Sequence, residues 1–207
     1  MEKLEEMLDR EVGEYLGKVR GMEEVKALLS GGISREDYIK FLTSFYIIEY
    51  ISRKAVLRAA EHTEETNPYL SSRFISCARG EEGHAEIALE DLVGMDAGGV
   101  DISRLPLALQ YDEFLLDEAD RSPLGILGHS YLFENASGIM FPGYVKPPYP
   151  SRFIEVHAKE DPGHSIAIKK TVRKIEPELN GNQKHEIVGF AHASGEFFLR
   201  VFQSLGS

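Results

Sequence analysis

The chain contains a single cysteine, Cys77, among its 207 residues. One thiol cannot form an internal disulfide, and it cannot build a cluster of thiolate metal ligands. Any metal ion held by this chain would therefore be bound by nitrogen and oxygen atoms.

Positive charge is also scarce. The sequence has 23 Lys and Arg residues against 34 Asp and Glu residues, which gives a formal net charge of -11. This balance argues against binding to nucleic acid or to an anionic membrane surface. We expect small molecules or other proteins as partners, and the oligomeric state stays open, with a homodimer as one alternative.

Long apolar segments are missing as well. No stretch approaches the roughly 20 apolar residues that a membrane-spanning helix requires. The first ten residues, MEKLEEMLDR, are charged where a signal peptide would be apolar. We therefore expect no membrane association and a cytoplasmic location. The hydrophobic content of 43% shows no break in composition, which predicts one domain over residues 1–207.

Alternation of apolar and polar residues, the mark of a half-buried strand, is not sustained anywhere in the sequence. Helical periodicity dominates instead and predicts an all-α fold, a compact bundle of about seven helices. Ser34 with Asp37, and Asn67 with Pro68, are helix-start signals. The expected helices cover about 2–18, 34–62, 67–93, 105–118, 122–141, 153–174 and, after the Asn-Gly-Asn sequence at 180–182, up to 203, with a glycine-rich loop at 95–100.

Several acidic and histidine residues lie on the apolar faces of their predicted helices. On the third helix Glu81 shares a stripe with Leu70 and Phe74, whereas Glu82 is rotated away from it. His84 follows Glu81 at i+3, so both side chains can reach one ion. These positions predict that Glu81 and His84 face the core.

The fifth and sixth helices add four more inward polar residues. Glu134 lies on the core side of the fifth helix, and His157, Asp161 and His164 follow one another at i, i+4 and i+7 on the sixth. The Asp-Pro-Gly sequence at 161–163 is also a turn signal, so the alternative is a helix that ends there. Because the helical pattern resumes in phase at 165–174, we favour one continuous helix kinked at Pro162.

Burying these groups without partners would cost several kcal/mol each. No inward Arg or Lys lies near these stripes, so a cation is the natural counter-charge. Three carboxylates and three imidazoles suit non-heme iron or manganese, whereas zinc, the alternative, normally takes fewer ligands. Each motif taken alone is common on solvated helix faces, and the hypothesis rests on the three segments together.

Glu49 shares the core stripe of the second helix, where it would be a pocket acid, a further ligand or the partner of an arginine. Gly138, one turn after Glu134, is predicted to leave room beside the metal. By contrast, His192 and Glu196 lie opposite the core stripe of the last helix, which predicts a solvated face. Three tyrosines are further candidates for the pocket: Tyr46, Tyr131 and Tyr144.

The set Glu81-x-x-His84, Glu134 and His157-x-x-x-Asp161-x-x-His164 resembles that of the heme-oxygenase-like diiron oxidases, and the similarity in helix order covers most of the chain. The resemblance implies a seven-helix heme-oxygenase-like fold, shared with thiaminase-II-like and pyrroloquinoline-quinone synthesis proteins. It also implies two iron ions, with a Mn/Fe pair as an alternative. Glu81 and His84 would bind one iron, Glu134 would bridge or be shared, and the three residues of the sixth helix would complete both coordination spheres.

The same resemblance implies O₂ as a substrate, a small organic acid or amine as the molecule oxidised, and an external electron donor. The thiaminase-like relatives use a catalytic cysteine from the fifth-helix region, and this chain has none there. A metal-free cofactor-biosynthesis enzyme or ligand-binding protein of the same fold remains the alternative function. A non-catalytic interaction protein, with its polar stripes paired among themselves, is a third hypothesis.

Overall fold

The computed structural model describes residues 2–99 and 106–206, and within these ranges the chain is helical without any β-strand. The predicted all-α class is confirmed. No helix in the described ranges is both long enough and apolar enough to cross a membrane. The helices are α1 Leu4–Arg20, α2 Glu23–Leu29, α3 Arg35–Thr63, α4 Pro68–Gly80, α5 His84–Gly94, α6 Pro106–Arg121, α7 Ile126–Met140, α8 Arg152–Ile175 and α9 Gly181–Gln203, with one 3-10 turn, Glu176–Glu178, between the last two.

Side-chain caps fix the helix starts that the sequence predicts. The Ser34 hydroxyl accepts a hydrogen bond from the Asp37 amide at 3.1 Å. The Asn67 side chain accepts one from the Leu70 amide at 2.9 Å. Asn180 caps α9 in the same way, through the amide of Gln183 at 3.0 Å. These bonds satisfy amide groups that have no partner inside the helix, so the starts of α3, α4 and α9 are confirmed.

Two features differ from the expected seven helices. The predicted third helix is divided into α4 and α5 by a turn at residues 81–83, where Gly83 has a φ of 93°. This left-handed conformation suits glycine, which has no Cβ to clash, and it ends the helix. The short helix α2 was not predicted. The predicted loop end at Val100 and helix start at Leu105 lie outside the described residues.

Helix α8 continues from Arg152 to Ile175 with Pro162 inside it. The predicted continuous helix is confirmed, and the alternative, a turn at 161–163, is wrong. A Cβ added at Gly138 of α7 would lie 3.0 Å from the Asp161 carbonyl oxygen, so α7 packs directly on the α8 backbone beside the proline. Gly138 therefore makes room for the neighbouring helix, and the expectation that it leaves room beside a metal stays a prediction.

The helices form two groups that pack face to face. Helix α3 contacts α4, α5 and α6, while α7 contacts α8, α9 and α1. Aromatic rings join the two helix groups. The ring centroid of Phe41 in α3 lies 6.2 Å from that of Phe153 in α8 and 6.1 Å from that of Phe202 in α9. Polar side chains from α3, α4, α5, α7 and α8 can therefore meet between the two groups.

Helices α7 and α9 approach each other closely at Gly128, where an added Cβ would lie only 2.0 Å from the Ile187 carbonyl oxygen. We expect Gly128→Ala to force the helices apart and to lower the free energy of unfolding in urea by about 1–3 kcal/mol. Gly189→Ala, on the same α9 helix with nothing within 4 Å, is the control. It should stabilise the protein by up to about 1 kcal/mol. Equal effects of the two substitutions would contradict the close approach.

Candidate metal centre

Seven ionisable side chains converge between the two helix groups. They include all six ligands predicted from the sequence, together with Glu49. Their ligand-type atoms form a first group of Glu49, Glu81, His84 and His157 and a second group of Glu134, Asp161 and His164, each with all atoms within 4.8 Å of one another. A third such group, Cys77 with Glu81 and Glu134, links the two.

Glu81 belongs to the first group and also faces the second. Its Oε2 is 2.6 Å from Nδ1 of His84, and its Oε1 is 3.1 Å from Nδ1 of His164. Each oxygen of one carboxylate therefore faces a histidine of a different group, which is the placement of a ligand shared by two ions. Glu134, which the resemblance put in the shared role, contacts His164 at 3.2 Å and belongs to the second group.

The turn between α4 and α5 brings Glu81 to His84. Glu81 follows the last residue of α4, and His84 is the first residue of α5. The His84 amide donates to the Glu81 carbonyl oxygen at 3.3 Å, which closes the turn. The sequence predicted that these two side chains meet, and the 2.6 Å contact confirms it, although the prediction assumed one unbroken helix; their role as metal ligands stays a prediction.

His157 is oriented by its own helix. Its Nδ1 donates to the Phe153 carbonyl oxygen at 2.7 Å, so the other ring nitrogen, Nε2, is left to face Oε1 of Glu49 at 3.5 Å. Histidines that bind metals commonly donate their second nitrogen to a carbonyl in this way, which fixes the tautomer. The ring of His84 lies 4.8 Å away, centroid to centroid.

Four buried atoms at the centre make no hydrogen bond within the described part of the chain: His84 Nδ1, His157 Nε2, His164 Nδ1 and Asp161 Oδ2. Carboxylate oxygens lie 2.6 to 3.7 Å from the three nitrogens, but not in the direction of a hydrogen bond. Buried polar atoms are normally satisfied. Imidazole nitrogens and a carboxylate oxygen that lie close together without bonding to one another fit cations between them.

The charge at the centre is strongly negative. The four carboxylates of Glu49, Glu81, Glu134 and Asp161 have side chains that are only 2 to 15% exposed. The nearby Arg53 is engaged elsewhere, with the Ala78 carbonyl oxygen and the exposed Glu82. Four ionised carboxylates beside three neutral imidazoles would be balanced by two divalent cations.

The pKa values of the carboxyl and imidazole groups at the centre are shifted by burial and by the neighbouring charges. Burial raises the pKa of Glu134 to about 7 and that of Asp161 to about 6. Contacts with Glu134 and Glu81 raise the pKa of His164 to about 11. Burial opposes protonation of His157, but the Glu49 carboxylate outweighs it and raises the His157 pKa to about 10. Protons on the histidines can thus offset the carboxylates, and a metal ion would compete with them.

Two cavities border the centre. A small one of about 60 Å³ lies on the α3 side, between the carboxylates of Glu49, Glu81 and Glu134. A larger one of about 270 Å³ lies between α4, α7 and α8, with Glu134 and His164 in its wall. The small cavity has room for ions or a few waters. The large one has room for a small organic molecule.

The tyrosines proposed for the pocket lie elsewhere. The Tyr131 hydroxyl donates to Asp9 of α1 at 2.7 Å. Contrary to expectation, Tyr46 and Tyr144 line neither of the two cavities at the centre. Each lies partly buried against the hydrophobic core.

Glu82 and His192 are exposed, as predicted, whereas Glu196, expected on a solvated face, is partly buried against α1. The Glu82 side chain is 68% exposed and the His192 side chain is 54% exposed. His192 contacts Glu11 of α1 at 3.0 Å, and Glu196 accepts a hydrogen bond from the Tyr15 hydroxyl at 2.8 Å. The last helix therefore contributes no ligand to the centre.

Sequence reasoning missed two buried polar residues that support the site. His129 of α7 accepts or donates at both nitrogens, with the Tyr111 hydroxyl at 2.6 Å and the Ser52 hydroxyl at 3.0 Å, and burial lowers its pKa to about 3. Asp91 accepts from the Phe153 amide at 2.8 Å and so anchors the first turn of α8. Both lie on largely apolar helix faces, the signal that identified Glu81.

Asp161 is the most deeply buried of the four carboxylates, at 2% exposure. In chelator-treated protein at pH 8, above its pKa of about 6, we expect Asp161→Asn to stabilise the fold by about 1–2 kcal/mol, because it removes a buried charge. Urea unfolding measures the change. Glu82→Gln, at an exposed position, is the control and should change stability by less than about 0.5 kcal/mol. Destabilisation by Asp161→Asn would instead favour polar stripes paired among themselves.

No family model matches the sequence, and no curated protein matches it significantly. Solved structures do resemble it. A TenA homologue from Pyrococcus furiosus superposes with a TM-score of 0.81 at 16% identity, over 97% of this chain and 98% of that one. A domain of unknown function with a heme-oxygenase-like fold from Shewanella denitrificans OS217 gives a TM-score of 0.77 at 17% identity, over 99% and 92% of the two chains.

A third structure, a TenA homologue from Pseudomonas syringae pv. tomato DC3000, gives a TM-score of 0.76 at 10% identity, over 97% of this chain and 91% of that one. Identities this low establish the fold alone. The protein therefore has a heme-oxygenase-like helical fold, as the resemblance of its sequence implied.

Proposed function

We propose that this protein is a metal-dependent oxidoreductase that uses O₂ and two iron ions, with a Mn/Fe pair as the alternative, to oxidise a small organic substrate. One observation carries the proposal: the two oxygens of Glu81 face two separate groups of oxygen and nitrogen ligands. The proposal needs an external electron donor and O₂ as partners.

The two ions would have different ligand sets. The first would be held by Glu49, Glu81, His84 and His157, and the second by Glu81, Glu134, Asp161 and His164. Carboxylates and imidazoles without sulfur suit iron or manganese, and bridging carboxylates hold such pairs in other helical bundles. A tetrahedral zinc ion would leave several of these buried groups without a partner.

When bound, such a pair of metal ions reduces O₂ and delivers the oxidant to one bond of the substrate. The chain's own residues hold and shield the reactants. Leu127 and Phe74, at 0% and 2% exposure, help to wall the large cavity and exclude water beside Glu134 and His164. The ligands lie on packed helices and a closed turn, so their geometry is set before any ion binds.

The similarity to TenA homologues supports a second candidate, a metal-free cofactor-biosynthesis enzyme or ligand-binding protein of this fold. Cys77 lines both cavities, and its Sγ lies 3.7 Å from Oε1 of Glu134. Burial and the neighbouring carboxylates raise the pKa of this thiol well above its usual value, which disfavours the thiolate that a nucleophile requires. Metal analysis separates the two candidates.

Metal binding should depend on the inward carboxylates. We expect protein loaded anaerobically with Fe(II) to hold two ions per chain, as measured by plasma emission after gel filtration. Glu81→Ala should abolish binding of both ions because Glu81 contacts both groups, and Glu134→Ala should remove at least the second.

Glu82→Ala and His192→Ala are matched controls from the exposed faces and should retain both ions. A folded wild-type protein that binds no ion after this loading would end the two-metal proposal. Greater metal loss in Glu82→Ala than in Glu81→Ala would show that the assignment of inward residues is wrong.

Metal removal should loosen α8 more than α3. Three proposed ligands lie on α8, whose Pro162 costs about 3 kcal/mol in an ordinary helix interior, and ligation stabilises only the folded site. We expect chelation to lower the melting temperature and to speed amide hydrogen exchange at residues 157–165 by more than tenfold. Residues 38–48 of α3, which include no ligand, are the internal control, and equal protection of 157–165 in both states would contradict the ligand role of α8.

A further inference from the structure

Arg73 lies in the wall of the large cavity without an acidic partner. Its Nε donates to the Thr171 hydroxyl at 3.3 Å, and its terminal amino groups contact no acceptor among the residues that the structure describes. Several other arginines of this acidic chain pair with carboxylates, among them Arg53 with Glu82 and Arg58 with Asp120, whereas Arg20 and Arg35 bind backbone carbonyl oxygens. Arg73 differs from the exposed arginines because it is partly buried in the wall of a cavity. An unpaired guanidinium in a cavity wall is a binding group for an anion.

The cavity has Arg73 at one end and the metal centre at the other. Helices α4 and α8 run antiparallel along it, because Arg73 contacts Thr171 while a Cβ at Gly80 would lie 3.6 Å from Nε2 of His164. These two contacts are seven residues apart on each helix. At 1.5 Å per residue, the two ends are about 10 Å apart along the helix axis.

The wall between the two ends is largely apolar, with Ser76 and Ser130 as its hydroxyl groups. It includes Phe74, Leu127 and Ile168, with exposures of 2%, 0% and 9%. Arg73 itself is only partly buried, whereas the carboxylate of Glu134 at the opposite end is 12% exposed. The cavity thus has a cationic end at Arg73 and an opposite end beside the proposed ligands.

We propose that this cavity binds a monocarboxylic acid with an apolar body. Arg73 holds the carboxylate in a bidentate contact, and the far carbons lie beside Glu134 and His164. Thr171 is a positioning residue, since its hydroxyl accepts from Arg73 and donates to the Ala167 carbonyl oxygen at 3.1 Å. The proposal that the bound acid is the substrate rests on the proposed function. Of the two substrate classes expected there, it selects the organic acid over the amine.

The first test measures binding to chelator-treated protein by calorimetry, with octanoate, octylamine and octanol as probes of equal chain length. Octanoate should bind at least about tenfold more tightly than either of the others. Arg73→Met should weaken octanoate binding by about tenfold or more and leave octanol within about twofold. Arg73→Lys should restore only part of the affinity, because an ammonium cannot make the bidentate contact.

Arg79→Met is the matched control. Arg79 lies on the same helix but is exposed and does not line this cavity, so the variant should bind octanoate as the wild type does. Melting curves of each variant establish that it is folded. Unchanged octanoate affinity in folded Arg73→Met, or equal affinities for octanoate and octanol in the wild type, would overturn the proposal.

The second test measures orientation. In protein loaded with Mn(II), paramagnetic broadening of octanoate proton signals should be largest at the terminal methyl and smallest beside the carboxylate. The opposite gradient would place the carboxylate on the metal and overturn the proposal. If no Mn(II) binds, the Arg73 dependence in metal-free protein still decides the carboxylate site, and the Fe(II) loading described above decides the two-metal function separately.

Discussion

The mutual repulsion of four carboxylates, buried together in a helical bundle, is the constraint on which the centre depends. The four carboxylates come from different segments of the chain: Glu49, Glu81, Glu134 and Asp161. Burying any one of them without a partner would cost several kcal/mol of desolvation free energy. Three histidines are placed among them and can carry protons or bind ions. This arrangement needs positive charge, which protonated histidines or metal ions can supply. Which of the two is present separates an oxidase from a metal-free enzyme.

The surrounding packing holds these groups in place. Gly138 lets α7 lie directly on the α8 backbone where Pro162 interrupts the hydrogen bonds, and Asp91 anchors the start of the same helix. The Phe153 carbonyl then orients His157, and the Phe153 ring packs on α3. Packing, capping and ligand orientation are therefore linked along one helix, which explains how a proline is tolerated next to Asp161.

Helical phase predicted which residues face inward, because burial within one amphipathic helix depends on its own sequence. It identified Glu81, Glu134 and the three polar residues of α8. It failed where neighbouring helices decide the outcome: Tyr131 is buried, but its hydroxyl reaches Asp9 of α1. Arg73 was missed for the same reason, since its partner Thr171 is 98 residues away in sequence. The break at Gly83 depended on a backbone conformation that periodicity does not report.

A crystal structure of the protein loaded anaerobically with Fe(II), with anomalous diffraction collected at the iron and manganese edges, tests the central claim most directly. We expect two iron peaks, one on each side of the Glu81 carboxylate and about 3.5–4 Å apart. One peak would lie among Glu49, His84 and His157, and the other among Glu134, Asp161 and His164. A folded protein with no anomalous peak between these side chains, or with ions bound only at the surface, would contradict it.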